Sequence, residues 1–172
     1  MLKILFLVFS FAILTGIWAK LKIEIGPVPI TMQTFAVLLS EALLGAKRGA
    51  LSQIIYLLLG LSGIPGFSRG GEVAYLMSPT FGYILGFVFA AYVVGWLCER
   101  GFDRKIERTI FAMLLGNLII IYILGLLWLG KFVGFEKALA VSLYPFIIGD
   151  LFKLLLASLI LPFGWKLFGE KP

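Results

Sequence analysis

Apolar runs of about 20 residues, the length that carries a helix across a bilayer, follow one another along almost the whole of this 172-residue chain. Of its residues, 61% are hydrophobic and 14% charged, more apolar surface than a soluble fold of this size can bury. The pattern predicts an all-α integral membrane protein, residues 1–172 forming a single transmembrane domain. Six transmembrane helices are expected, at Leu2–Ala19, Pro29–Leu44, Ala50–Leu61, Pro79–Cys98, Thr109–Trp128 and Tyr144–Lys166. The first begins like a signal peptide, but Ile17-Trp18-Ala19 is a poor cleavage site and the run is long, so it reads as a retained helix. The third is short and leads into "GLSGIPGFSRGGEVAYLMSP", too rich in Gly and Pro to continue as a helix. Within a membrane such backbone persists only where protein or water satisfies it, which makes this loop a candidate lid.

The basic residues orient the spans. Lys3, Lys47, Arg48, Arg100, Arg104, Lys105, Arg108, Lys166 and Lys171 fall on one side, against Lys20, Lys22, Arg69, Lys131 and Lys137 on the other. The richer side is cytoplasmic by the positive-inside rule. Both termini are therefore expected in the cytoplasm of a multi-pass protein of the cell membrane, with 20–28, 62–78 and 129–143 as outer loops. The net charge of +6 is ascribed to these loops and to anionic headgroups rather than to nucleic acid. One cysteine and no histidine exclude an internal disulfide and argue against a zinc or iron site.

Within the sixth span, "YPFIIGDLFKLLLASLILPF" holds Asp150 and Lys153 at i,i+3 on one helical face. Starting the helix at Pro145 puts Asp150 less than two turns in. Such a pair can simply neutralise itself, yet ionisable residues inside spans default to functional sites. A buried Lys suits a substrate carboxylate, and Asp150 can hold that Lys or accept substrate N–H groups. Thr31, Gln33 and Thr34 open helix 2 as caps or cavity contacts, and Tyr122, in mid-span, needs a partner from protein or ligand. Tyr83 is either an interfacial aromatic or a cavity wall. Trp18, Trp128 and Trp165 fit an aromatic belt. Glu41 is expected to snorkel to the headgroups or meet Arg48, and Asn117 to bond between helices. Ala12 and Gly16, like Gly82, Gly86 and Ala90, form small-residue faces for packing within the chain or against a partner. "GLLWLGK" imitates a phosphate-binding loop, but Phe132 follows where a hydroxyl is required and no strand precedes it.

Three stretches, "GPVPITMQTFAVLLSEALLGAKRGALSQIIYLLLGLSGIPGF", "SPTFGYILGF" and "YPFIIGDLFKLLLAS", in this order from about Gly26 to Ser158, resemble the BioY family. These are the biotin-binding S components of energy-coupling factor (ECF) transporters. The resemblance implies the six-helix S-component fold and a substrate cavity open to the outside, capped by the loops after helices 1 and 3. It implies high-affinity biotin capture and no enzymatic activity. It also implies ATP-driven uptake with a transmembrane coupling protein and two ATPase subunits; this chain itself carries no cofactor. Asp150 and Lys153 match the family's biotin-contacting acid and lysine, and Tyr83 lies in a matched motif. The family's usual amide in the loop after helix 3 is absent from "GFSRGGEVAY", leaving Ser68 or Arg69 in its place. Ala12-xxx-Gly16 stands where the family shows a small-residue surface for the coupling protein. For biotin, Lys153 would offset the carboxylate and Asp150 or Gln33 take the ureido N–H groups, with the end facing helix 6 left open. A proton-coupled carrier would show inverted repeats, and a membrane enzyme a clustered set of reactive groups; the sequence displays neither.

Overall fold

The structure, a computed structural model, describes residues 2–24 and 26–168; Lys171, counted toward the basic side above, lies outside them. Six helical rods account for most of these residues. They are α1 (Leu2–Trp18), α2 (Gln33–Leu44), α3 (Ala46–Leu61), α4 (Phe81–Glu99), α5 (Ile106–Val133) and α6. The last is continuous through Phe135–Ala138, a wide π-type stretch Leu139–Leu143 and Tyr144–Phe168. Among the described residues, Phe81–Glu99, Ile106–Val133 and Phe135–Phe163 are long and apolar enough to cross a membrane, while Leu2–Trp18 and Gln33–Leu44 are shorter apolar helices. The outer surface is apolar, with Phe6, Phe89, Phe152 and Phe163 exposed, as a lipid-facing surface requires.

α4 packs against α2, α3 and α5. Its small residues allow this. A Cβ on Gly86 would come within 2.9 Å of the Ile121 Cα on α5, and one on Gly95 within 2.6 Å of the Gly45 carbonyl carbon. Backbones this close leave no room for side chains. α1 lies on α2 and α3, and α6 closes the bundle against α5 and α2. At the end where α1, α3 and α5 finish, two connections form a cap. In the first, Lys22–Ile23 pairs antiparallel with Ile30–Thr31. The second, after α3, turns through a Phe67–Gly70 bridge and a 3-10 turn at Val73–Met77. Phe67 pins it, fully buried, with its ring edge-on to Tyr56 and 4.3 Å from Tyr75. The Trp128 indole N–H, expected only in an interfacial belt, donates to the Ser78 carbonyl of this loop at 3.0 Å.

Three boundaries differ from expectation. α2 starts at Gln33, not Pro29, because Ile30–Thr31 pairs as a strand, so Thr31 precedes the helix. α3 starts at Ala46, not Ala50, so Lys47 and Arg48 sit in its first turn. Its beginning is fixed from another helix: the Glu99 carboxylate accepts the Ala46 N–H at 2.9 Å. An acceptor there satisfies a free N–H and opposes the positive end of the helix dipole. Residues 129–143 are not an open loop but helix, broken only at Gly134, whose φ of 82° suits glycine.

Two polar residues also depart from their expected roles. Glu41 is fully buried, and both carboxylate oxygens lack a hydrogen-bond partner among the described residues. It faces α5, where a Cβ on Gly116 would lie 3.6 Å from its Oε1, and does not reach the headgroups. The reason is that α2 is enclosed by α1, α3, α4 and α6. Asn117, expected to bond between helices, is buried in the π-type stretch Leu115–Ile121 with neither amide atom hydrogen-bonded among the described residues. An unpaired buried polar group destabilises by about 1–3 kcal/mol. Glu41→Leu is accordingly expected to raise the thermal unfolding midpoint of the purified protein in detergent; a lower midpoint would mean that the carboxyl is paired in the membrane.

Candidate substrate-binding site

Beneath the cap, between α2, α4, α5 and α6, lies a narrow cavity of about 50 Å³, smaller than a small-molecule pocket holding its ligand. Val28, Ile84, Phe87, Ile121 and Phe146 give it an apolar wall. Eight of the residues singled out from the sequence line it together: Thr31, Gln33, Thr34, Ser68, Tyr83, Tyr122, Asp150 and Lys153.

The α6 pair is the most highly connected part of the site. Because α6 begins at Phe135, Asp150 stands about four turns into the helix rather than less than two. Asp150 is 3% exposed and Lys153 5%. The Lys153 ammonium donates to Asp150 Oδ1 at 2.9 Å, to the Thr31 carbonyl at 2.7 Å and to Thr34 Oγ1 at 3.1 Å. An ammonium has three donors, and all are engaged. Thr34 in turn donates to Asp150 Oδ1 at 3.2 Å, and the Tyr122 phenol donates to Oδ2 at 2.6 Å. The mid-span phenol thus has a protein partner. Tyr83 stands edge-on to Tyr122 with centroids 6.2 Å apart, and its hydroxyl is paired with Ser142 on α6.

A second polar set belongs to the cap side. Ser68 Oγ and the Tyr75 hydroxyl are 3.1 Å apart, and Thr80 Oγ1 donates to that hydroxyl at 2.7 Å. Gln33 accepts from Thr31 Oγ1 at 3.0 Å and donates to the Tyr56 hydroxyl at 2.7 Å. Arg69 is not in the cavity. It lies on the outer side of the cap, donating to Glu24 at 2.6 Å and to the carbonyls of Gly26 and Pro27 at 2.7 and 3.0 Å. It therefore ties the two cap connections together. Tyr75, Thr80 and Phe146 were not singled out from sequence. Thr80 sits inside "SPTFGYILGF" and was open to notice there, whereas Tyr75 is brought in only by the fold of its loop.

Ala12 is 1% exposed and packs in the core with Tyr56 and Phe67; Gly16 is half-buried, 3.6 Å from Gly66 at the Cβ position. The small face of α1 is thus turned onto α3 and the cap, the within-chain packing that its spacing also allowed. The side of α1 that is open carries Phe6, Phe9, Ile13 and Ile17. Among the described residues no three His, Cys, Asp or Glu cluster as metal ligands would. The arrangement is equipped to hold a small, mainly apolar molecule by hydrogen bonds at its polar parts.

A family model described as the BioY family matches residues 2–170. The "Probable biotin transporter BioY" of Pyrococcus horikoshii is 41% identical over 155 residues, covering 90% of this chain and 91% of the relative. The "Biotin transporter BioY" of Thermotoga maritima is 39% identical over 155 residues, 89% of each. The fold is similar to a crystal structure of the S-component for biotin from an ECF-type ABC transporter, with a TM-score of 0.86 and 27% identity over 96% of this chain and 92% of that one. These relatives are named as transporters, and the reading of a non-enzyme stands. With the match running through the bundle, the cap and the α6 pair alike, the chain belongs to the BioY family.

Proposed function

We propose that this protein is the substrate-capture subunit of an ATP-driven ECF transporter and binds biotin with high affinity in the cavity beneath the cap. The observation that carries this reading is the α6 pair, buried at the wall of a largely apolar cavity with every Lys153 donor engaged, in a chain of the BioY family. The termini and the end opposite the cap face the cytoplasm, where the more basic segments lie. Substrate enters from the outer side, and a transmembrane coupling protein with two ATPase subunits supplies the energy. Equilibrium binding by the purified chain, comparing biotin with dethiobiotin, thiamine and riboflavin, tests the substrate assignment directly.

The geometry also favours one orientation. Lys153 has no free donor, and Asp150 already neutralises it, so the pair does not call for a ligand carboxylate. Asp150 keeps acceptor capacity, because a carboxylate offers about four sites and three bonds reach it here. The ureido N–H groups of biotin fit that acceptor. Lys153 then acts by holding Asp150 rather than by pairing with the substrate's acid.

Lys153→Met is expected to weaken biotin binding by about 2 kcal/mol or more, roughly 30-fold. The penalty should be the same for biotin and for biotinamide, which lacks the carboxylate charge. A penalty that disappears with the amide would put the carboxylate, not the ureido ring, at α6.

The cap adds a condition on pH. Arg69, and after it Lys22, hold the exposed Glu24 carboxyl down at about 2. A carboxyl lowered on folding contributes stability above its ordinary range and loses it as pH falls through the folded value. The latch is therefore intact throughout pH 5–8. Glu24→Gln should speed biotin release, by a factor that is constant between pH 8 and pH 5 and shrinks in high salt, since exposed pairs are screened. Release rates by filter assay check this, and a factor that changes steeply across that pH range would remove Glu24 from the latch.

A further inference from the structure

Tyr56 lies on α3, is 2% exposed, and takes no part in lining the cavity. Its hydroxyl nevertheless joins two groups that matter to it. The hydroxyl accepts from Gln33 Nε2 at 2.7 Å and donates to the Gly66 carbonyl at 3.2 Å. Gln33 lines the cavity; Gly66 is in the second cap connection, two residues before Ser68, which lines the cavity as well.

We propose that Tyr56 is a positioning residue that links occupancy of the cavity at Gln33 to the seating of the loop between α3 and α4. The link has a fixed direction. Thr31 Oγ1 donates to Gln33 Oε1, which turns the amide so that Nε2 faces Tyr56. A phenol has one proton, and here it points to the loop. The ring reinforces this, standing edge-on to Phe67 at 5.5 Å. From the far side of the same residue, the Lys20 ammonium on the first connection donates to the Phe67 carbonyl at 2.8 Å. The loop is thus held at successive residues, at Gly66 from α3 and at Phe67 from the first connection. A ligand bonded to Gln33 immobilises the amide, and through the phenol it immobilises Gly66. Loss of the hydroxyl leaves the ring in place but strands the Gln33 N–H and the Gly66 carbonyl, so the loop over an occupied cavity opens more readily.

This inference rests on biotin occupying the cavity, and its test separates the two. In stopped-flow binding, Tyr56→Phe should raise the biotin dissociation rate about tenfold, while association stays within about twofold, as expected when a contact acts on the closed state. Gln33→Ala should also raise it, and the double variant should release no faster than Gln33→Ala alone, because residues in one hydrogen-bonded chain are not additive. A purely structural role for the tyrosine would give additive effects, and additivity would overturn the proposal, as would wild-type release from Tyr56→Phe. The loop also reports without ligand: amide hydrogen exchange across 64–70 should quicken in both single variants. Unchanged exchange overturns the link even if biotin proves not to be the substrate, whereas failure of the wild-type chain to bind biotin sinks the substrate assignment and leaves exchange to decide the link.

Discussion

Two opposite charges one helical turn apart on α6 set the terms for the rest of the molecule. Removing either ion from water alone would be prohibitive in a membrane-embedded bundle. The pair survives because three residues on two other segments satisfy it. The Thr31 carbonyl and Thr34 reach it from the start of α2, and Tyr122 from α5. The charges thereby gather α2, α5 and α6 around one point, and the cavity lies beside that point. Its walls are otherwise apolar, so a ligand finds hydrogen-bonding groups at few places and must match them to bind well.

The opposite wall is set by α4, whose glycines bring the α5 backbone into contact at Ile121. Ile121 ends the π-type stretch of α5, and Tyr122 follows it directly. Close packing at Gly86 and the aim of the Tyr122 phenol at Asp150 are therefore neighbouring features of the same two helices. Small residues that contribute no chemistry still determine where the chemistry is presented.

Much of this was legible in the sequence. Long apolar runs announce their helices, and an acid and a base inside one of them announce a site, because nothing local tolerates them. Gln33, Thr34, Tyr83 and Tyr122 were visible as polar groups in apolar company. What was hidden depends on contacts across space. The start of α3 is capped by Glu99 from α4, so Lys47 and Arg48 read as loop. The helical course of 129–143 rests on a single Gly134 conformation. Glu41 looked able to escape to the headgroups, and only the surrounding helices reveal that it does not. Arg69 read as a cavity residue only as a stand-in for the amide that the family usually carries in this loop, but its side chain turns outward to Glu24.

Gly134 also bears on which parts of the protein are able to move. With α5 helical to Val133 and α6 helical from Phe135, a single residue joins them, so this side of the cavity mouth has almost no conformational freedom to surrender when a ligand arrives. Among the described residues, the two cap connections are the only segments of any length at that end, and the ordering entropy of capture falls on them. Substitutions that stiffen one connection without straining it would therefore tighten binding without touching the ligand, whereas the same changes around Gly134 would have nothing left to gain.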